Sequence, residues 1–392
     1  MEYKADKVLC PMHFHIHDRI PFGNICQPQV IQEDRQSQVH FTAHPHGGPE
    51  ALWFCFRLEI VSAATARHEV QLVLHYPDTL LGGNKPASCW PVYRVNSGEW
   101  QRLGEGEESV SEDGLPIWHW NLVCQGNEKN IDFALCYPYG PDQISDLLQT
   151  CAGTWKASTI GVSQAGRPIT RLYNKTETKK KQQAGIYIVT RQHSGETPGS
   201  WVLDGFLRYF ADSDEEAPLI WAIPFANVDG VIQGDYGKDN FPYDVNRAWT
   251  QPPMRFETHV MMRDMQRWAS RCRPALGLDL HAPGWSDNRG VFAFDPTREE
   301  SRALKPEVNN LAKKCENSLG VEFASESFLR MANYPSRWET PWAMQYMMQQ
   351  YQIPALSIET PYSMIGDRVL TICDYHEIGK RLALAIEEFL GA

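Results

Sequence analysis

The chain has 392 residues, of which 42% are hydrophobic and 22% charged, and a formal net charge of −11. This composition excludes a disordered chain, and the length calls for more than one core. The acidic balance argues against nucleic acid as a partner, because phosphate binding wants a basic surface. No stretch approaches the roughly 18 apolar residues of a spanning helix, so no membrane partner is expected. The N-terminal MEYKADKVLC carries charges where a secretory leader needs an apolar run, which points to the cytoplasm. The ten scattered cysteines, with no CxxC pair, are then expected to be reduced and mostly buried. An exported chain already freed of its leader would look the same at this level.

Residues up to about 135 are expected to be all-β. RLEIVSA and EVQLVLHYP alternate or run apolar, Gly, Pro and Asn mark the gaps, and EWQRLGEGEESVSEDGLPIWHWNLVC resembles a loop-rich pair of strands. Short strands at this spacing suggest a β-sandwich. Trp53, Trp90, Trp100, Trp118 and Trp120 crowd this part; a sugar-stacking face is one use, packing in the core and against a neighbouring domain the commoner one. MHFHIHD places His13, His15 and His17 on one face of a strand, near Cys10 and Asp18, and HFTAHPHGG adds His40, His44 and His46. Either cluster could take a transition metal. Neither has a recognised ligand spacing, so an exposed strand face and a turn are the plainer expectation.

GPDQISDLLQTCAG (140–153) is helix-like and bridges to a second region, which gives domains at 1–138 and 139–392. There STIGVSQAGRPITRLYN predicts a strand, a glycine turn and a strand, and KTETKKKQQ a solvated cationic loop. IYIVT is apolar on both faces, as in a parallel sheet. SWVLDGFLRYF, RFETHVMMRDMQRWASR, KPEVNNLAKKCENSL, PWAMQYMMQQY and DYHEIGKRLALAIEEFL predict helices. LIWAIPFANVDGV, ALGLDLHAPG and IPALSIETPY predict the strands between them. Alternating strands and helices define an α/β fold with a mixed, mostly parallel sheet flanked by helices, preceded by a smaller all-β sandwich.

In such sheets ligands bind beyond the carboxyl ends of the strands. Three predicted strands end in reactive groups: IYIVT leads to His193 and Glu196, GLDLHAPG to His281, and ALSIETPY to Glu359. Two imidazoles and one carboxylate form a catalytic zinc set with one position left for water. Glu359 is then a carboxylate outside that set, available to take a proton from the water. Arg247, beside Asn246 in DVNRAW, offers a planar fork for a substrate carboxylate.

HSGE, NVDGV, DVNRAW, LDLHAP and SIETPY, in this order, resemble the zinc carboxypeptidase family. The long NVDGV…DYGK…DVNR segment and the β-rich part before it resemble its cytosolic carboxypeptidase subgroup. The resemblance implies one zinc ion per chain held by His193, Glu196 and His281, and Glu359 as the general base. It also implies Asn246 and Arg247 on the carboxylate of a peptide or protein C-terminus, and Asp244 bonded to the first zinc histidine. Asp279 either braces His281 in the same way or bonds to backbone at the strand end. The subgroup's oxyanion arginine falls on Gly237 here, so it is missing. Lys238, one residue on, stands in as a point charge, with Arg289 as another donor. Tyr334 is the nearest match to the family's mobile tyrosine, or else a packed loop aromatic. Three functions compete on these residues: a zinc metallocarboxypeptidase, a zinc amidase or deacylase acting on a cell-wall peptide or amino-acid derivative, and a non-catalytic binding protein. Oligomeric state is left open.

Overall fold

A computed structural model describes residues 12–33, 35–62, 67–80, 86–175, 183–211, 217–332 and 337–391. Tyr334, Cys10 and positions 176–182 of the cationic loop lie outside the described residues.

Ten strands come first: β1 (His13–His17), β2 (Cys26–Gln32), β3 (Gln36–Thr42), β4 (Cys55–Ser62), β5 (His68–His75), β6 (Val92–Val95), β7 (Gln101–Arg102), β8 (Glu107–Val110), β9 (Pro116–Cys124) and β10 (Asn130–Ala134). They form two five-stranded sheets, ordered β1-β4-β10-β6-β7 and β2-β3-β5-β9-β8. The period of two is plain in β3, where Ser37, Val39 and Phe41 are buried and Gln36, Gln38 and His40 face outward. Inward rings join the sheets: Phe41 of β3 lies 5.1 Å from Phe54 and 4.9 Å from Phe56 of β4. One pair, β3 with β5, is parallel, so the sheets are not purely antiparallel. On β10, Asp132 is fully buried between Arg57 and Arg94 of the flanking strands. Arg57 Nε donates to one of its oxygens at 2.6 Å and Arg94 Nε to the other at 2.8 Å.

After α1 (Pro141–Thr150) the chain builds one eight-stranded sheet from β11 (Lys156–Val162), β12 (Pro168–Tyr173), β13 (Ala184–Thr190), β14 (Leu219–Ile223), β15 (Arg273–His281), β16 (Val291–Phe294), β17 (Ala324–Arg330) and β18 (Ala355–Glu359). The order is β11-β12-β14-β13-β15-β18-β16-β17. The central run β14-β13-β15-β18 is parallel, while β11, β12 and the β16–β18 pair are antiparallel. Ile186 to Val189 are wholly buried, as a doubly covered strand requires.

Helices α2 (Thr197–Ala211), α3 (Val228–Gln233), α4 (Phe256–Ala269), α5 (Lys305–Phe323), α6 (Ala343–Tyr351) and α7 (Ile372–Leu390) connect the strands. α2 and α7 approach through reciprocal glycines. A Cβ on Gly205 would lie 2.3 Å from the His376 carbonyl oxygen, and one on Gly379 2.1 Å from that of Val202. Only hydrogen fits at either crossing point. Among the described residues, no helix is long and apolar enough to cross a membrane, and the nine cysteines are free thiols, six of them buried.

Two strands, β16 and β17, escape the periodicity. ASESFLR of β17 carries mixed polarity at a sheet edge, half-exposed, and pairs only with β16.

The two regions share a packed boundary. Trp285, after β15, stacks against Trp118 at 5.8 Å and Phe54 at 6.3 Å. Arg102 of β7 donates to the carbonyls of Trp90 (2.7 Å), Tyr362 (2.6 Å) and Leu370 (3.1 Å), tying the β-rich part to the segment after β18. Trp53, Trp118 and Trp120 are buried, which leaves them no sugar-stacking face, while Trp90 and Trp100 are half-exposed.

Candidate metal and active site

β13, β15 and β18 lie side by side and end at one edge of the sheet. The turn after β13 is held from within by the buried Arg191, in a left-handed conformation (φ 57°). Its guanidinium donates to the Ser194 carbonyl (2.6 Å), the Tyr139 carbonyl (3.1 Å) and Ser200 Oγ (3.2 Å). Gly195 N donates to the Tyr236 carbonyl at 2.8 Å, docking the turn against the next loop. His193 and Glu196 are thereby aimed inward just before α2. Register pairs His281 with Glu359 on adjacent parallel strands, so their side chains leave the same face.

The three groups converge. His193 Nδ1 is 2.8 Å from Glu196 Oε1, and His281 Nδ1 is 2.7 Å from Glu196 Oε2. Their ligand atoms lie within 4.8 Å of one another, and all three residues are buried. The outer nitrogens back onto carboxylates: His193 Nε2 is 3.4 Å from Asp244 Oδ2, and His281 Nε2 is 2.8 Å from Asp279 Oδ2. Imidazoles whose far nitrogens face carboxylates are held in one tautomer and one aim, the usual arrangement of metal-ligating histidines. Asp244 is itself fixed by the backbone N–H groups of Asn246 (2.7 Å) and Asp239 (3.0 Å). Asp279 accepts from Gln192 Nε2 at 2.6 Å, and Gln192 Oε1 accepts from Trp249 Nε1 at 2.8 Å.

The electrostatics favour a cation. Burial opposes the charge on both histidines, but Glu196 and Asp244 raise His193 overall, and Asp279 and Glu196 raise His281 well above the usual range. Burial also works against the Glu196 carboxylate, yet the two imidazoles hold it well below the usual range. Asp244 is lowered to about 2, burial being outweighed chiefly by His193. Such a pocket of buried anions selects positive charge, and two nitrogens plus one oxygen suit a zinc ion with an open position. Glu359 differs: burial pushes it up to about 7, with Glu196 adding to the rise and His281, Lys238 and His193 opposing it.

A cleft of about 1190 Å³ opens over these groups and is lined by His193, Glu196, Lys238, Asn246, Arg247, His281, Arg289 and Glu359 among others. Every described residue proposed for contact with metal or substrate therefore shares one cavity. Asn246 Nδ2 lies 3.0 Å from His281 Nε2, and its Oδ1 accepts from Ala343 N at 3.0 Å, at the start of α6. Arg247 donates to the Asn246 carbonyl at 3.0 Å, its guanidinium 5.9 Å from the Trp342 ring. Arg289 is mostly exposed and bonded to Asp287. Lys238 Nζ lies 3.3 Å from Glu50.

At Gly237, the position the resemblance gives to the subgroup's arginine, the backbone leaves no room for a side chain. Gly237 is left-handed (φ 80°), and a Cβ there would lie 2.2 Å from Ser194 Oγ and 2.7 Å from Ser194 N. No side chain fits behind the metal-binding turn. Sequence reasoning missed Arg330, which comes from edge strand β17, and Glu50, which arrives from the β-rich region; only a stated topology could have found either.

The N-terminal histidines fall into separate local groups. His15, His17 and Glu59 could together hold an ion on the partly exposed β1–β4 pair. His17 Nδ1, however, accepts from Arg19 N at 3.2 Å, which keeps the proton on Nε2, toward Glu59. His40 is bonded to His75 at 2.8 Å, and His46 to Asp235 at 2.5 Å.

A helix-flanked, mostly parallel sheet with two histidines and a glutamate at its carboxyl edge has the donor set of a metal-dependent hydrolase. The sequence profile of the zinc carboxypeptidase family matches residues 142–388, and the chain belongs to that family. It is 22% identical over 348 residues to mouse cytosolic carboxypeptidase 3, covering 76% of this chain and 32% of that one. To human cytosolic carboxypeptidase 6 it is 26% identical over 260 residues, 60% of this chain and 50% of the relative. The chain thus spans a third to a half of these relatives' length. Among solved structures it resembles a metallo-carboxypeptidase from Burkholderia cenocepacia (TM-score 0.76, 16% identity, 97% of this chain and 99% of that one). It likewise resembles one from Pseudomonas aeruginosa (TM-score 0.70, 19% identity, 95% and 99%). At these identities the likeness is one of fold, and it extends over the β-rich region.

Proposed function

We propose that the protein is a zinc-dependent metallocarboxypeptidase of the cytoplasm, hydrolysing the C-terminal peptide bond of peptides or proteins, with one zinc ion per chain. The observation that carries this reading is the convergence of His193, Glu196 and His281 in a cleft that also holds Glu359, Asn246 and Arg247. The domain division at 138/139 belongs to the same proposal.

His193 and His281 would hold zinc through Nδ1 and Glu196 through its carboxylate, with Asp244 and Asp279 behind the rings. Zinc in that place supplies Lewis acidity for a carbonyl and for water. Arg247 and Asn246 bind the free terminal carboxylate and set the register, so that only the last peptide bond reaches Glu359. Glu359 takes the proton of the attacking water and returns it to the leaving amine. Its burial makes it a stronger base than an exposed carboxylate. Lys238 places positive charge where the oxyanion develops, and Tyr334 completes the proposed catalytic set.

Two outcomes test this. Glu359→Gln should keep zinc and lose turnover by about 10²–10⁴-fold; wild-type rates in that variant would remove the base assignment. Free and C-terminally amidated peptides should divide sharply, only the free form being cut. Cleavage of both would favour the amidase reading, to which the glycine at 237 gives some support. Because the base must be ionised, kcat/KM should fall as pH drops through the Glu359 pKa. A bound cation lowers that pKa, so the acid limb is expected no higher than about pH 7.

A further inference from the structure

The β3–β4 connection, residues 43–54, grips the loop that carries Lys238 along its whole length. His46 Nδ1 meets Asp235 Oδ1 at 2.5 Å, and Phe241 N donates to the Gly47 carbonyl at 3.3 Å. A Cβ on Gly48 would lie 2.1 Å from Asn240 Oδ1, so the two chain segments touch there. Asn24, beside this connection, donates to the Gly234 carbonyl at 2.8 Å. At the centre stands Glu50, a buried carboxylate whose Oε2 is 3.3 Å from Lys238 Nζ and whose Oε1 is 3.8 Å from Arg337 Nη1. Arg337 is bound in turn to Asp239, and Trp338 Nε1 donates to the same carboxylate at 2.6 Å.

We infer that Glu50 is a positioning residue for Lys238, and that the β-rich region thereby forms a working part of the catalytic cleft. The need for it arises from Gly237. An arginine has a preorganised fork, but Lys238 is a point charge on a four-carbon stem and must be held to act in one place. The carboxylate that meets its ammonium reaches it from across the boundary between the two regions. Glu50 is itself nearly closed off from water while Lys238 is partly exposed, so the carboxylate is the fixed member of the pair and the ammonium the one it holds. The sandwich therefore does for lysine what guanidinium planarity does for arginine. The anion also has a cost, since it offsets part of the lysine's charge.

This inference rests on the carboxypeptidase reading for its kinetic arm only. The experiment compares wild type, Glu50→Gln, Glu50→Asp, Lys238→Met and the Glu50→Gln/Lys238→Met pair, each checked for zinc content and far-UV spectrum. Lys238→Met should lower kcat by about 10²-fold. Glu50→Gln should lower it by about tenfold with KM within about threefold, and the pair should be no worse than Lys238→Met alone. Glu50→Asp should fall between wild type and Glu50→Gln. Independently of turnover, reductive methylation with formaldehyde and cyanoborohydride, mapped by mass spectrometry, should label Lys238 several-fold faster in Glu50→Gln. Multiplicative kcat losses in the pair, or an unchanged labelling rate, would overturn the inference. A wild type that cuts no peptide would overturn the carboxypeptidase reading instead, and the labelling rate would still decide for or against Glu50. If Glu50→Gln misfolds, Glu50→Asp, which keeps the charge one methylene short, gives the same two readouts.

Discussion

Two buried carboxylates in this molecule each sit between two basic side chains, and they serve opposite ends. In the β-rich region Asp132 lies between Arg57 and Arg94, at 2.6 and 2.8 Å. In the α/β region Glu196 lies between His193 and His281, at 2.8 and 2.7 Å. The geometry is nearly the same, but the chemistry of the partners is not. A guanidinium keeps its protons at any ordinary pH and has no lone pair to offer, so the first cluster is closed. An imidazole releases a proton and presents a lone pair, so the second can exchange protons for a metal ion. Both are paired charges; one ties three strands together, and the other carries the donor set that a cation would need.

The sharpest way to break the contrast is to make the second cluster like the first. His281→Arg should leave a buried carboxylate paired with an arginine and remove metal binding entirely, with turnover at background; elemental analysis and a peptide assay check it. Stoichiometric zinc in that variant would remove His281 from the ligand set. A smaller effect comes from behind the ring. Asp279→Asn should weaken zinc by about 10–100-fold while the protein stays folded, measured by competition with a chelator. The smallest effect should fall on the other side of the comparison. Asp132→Ala should destabilise by about 1–3 kcal/mol in denaturant melts, less than for a fully buried pair because both guanidinium groups reach water. Its zinc content and kcat should equal wild type.

The α/β half of the fold was legible because its central strands are apolar on both faces and its helices keep their period. IYIVT, GLDLH and ALSIE lie adjacent in one sheet, and the reactive residues stand at or just past the carboxyl end of each. The edge was not legible. β17 reads ASESFLR, whose polarity suits a half-exposed border and gives no period, yet it lines the cleft and brings Arg330 to it. Glu50 was hidden for a different reason. It lies in HPHGGPE, an ordinary turn sequence, and its importance depends on a loop almost two hundred positions away. The tryptophans were ambiguous in sequence and resolved by burial: Trp118 packs on Trp285 across the boundary between the two regions.

Gly237 constrains what this loop can carry. A single codon change to arginine would drive a side chain into Ser194 and force it onto a left-handed backbone, disturbing the turn that presents His193 before any benefit appeared. Placing a guanidinium there would need compensating changes at both loops at once. The positive charge next door, at Lys238, therefore has no single substitution at 237 that could take its place.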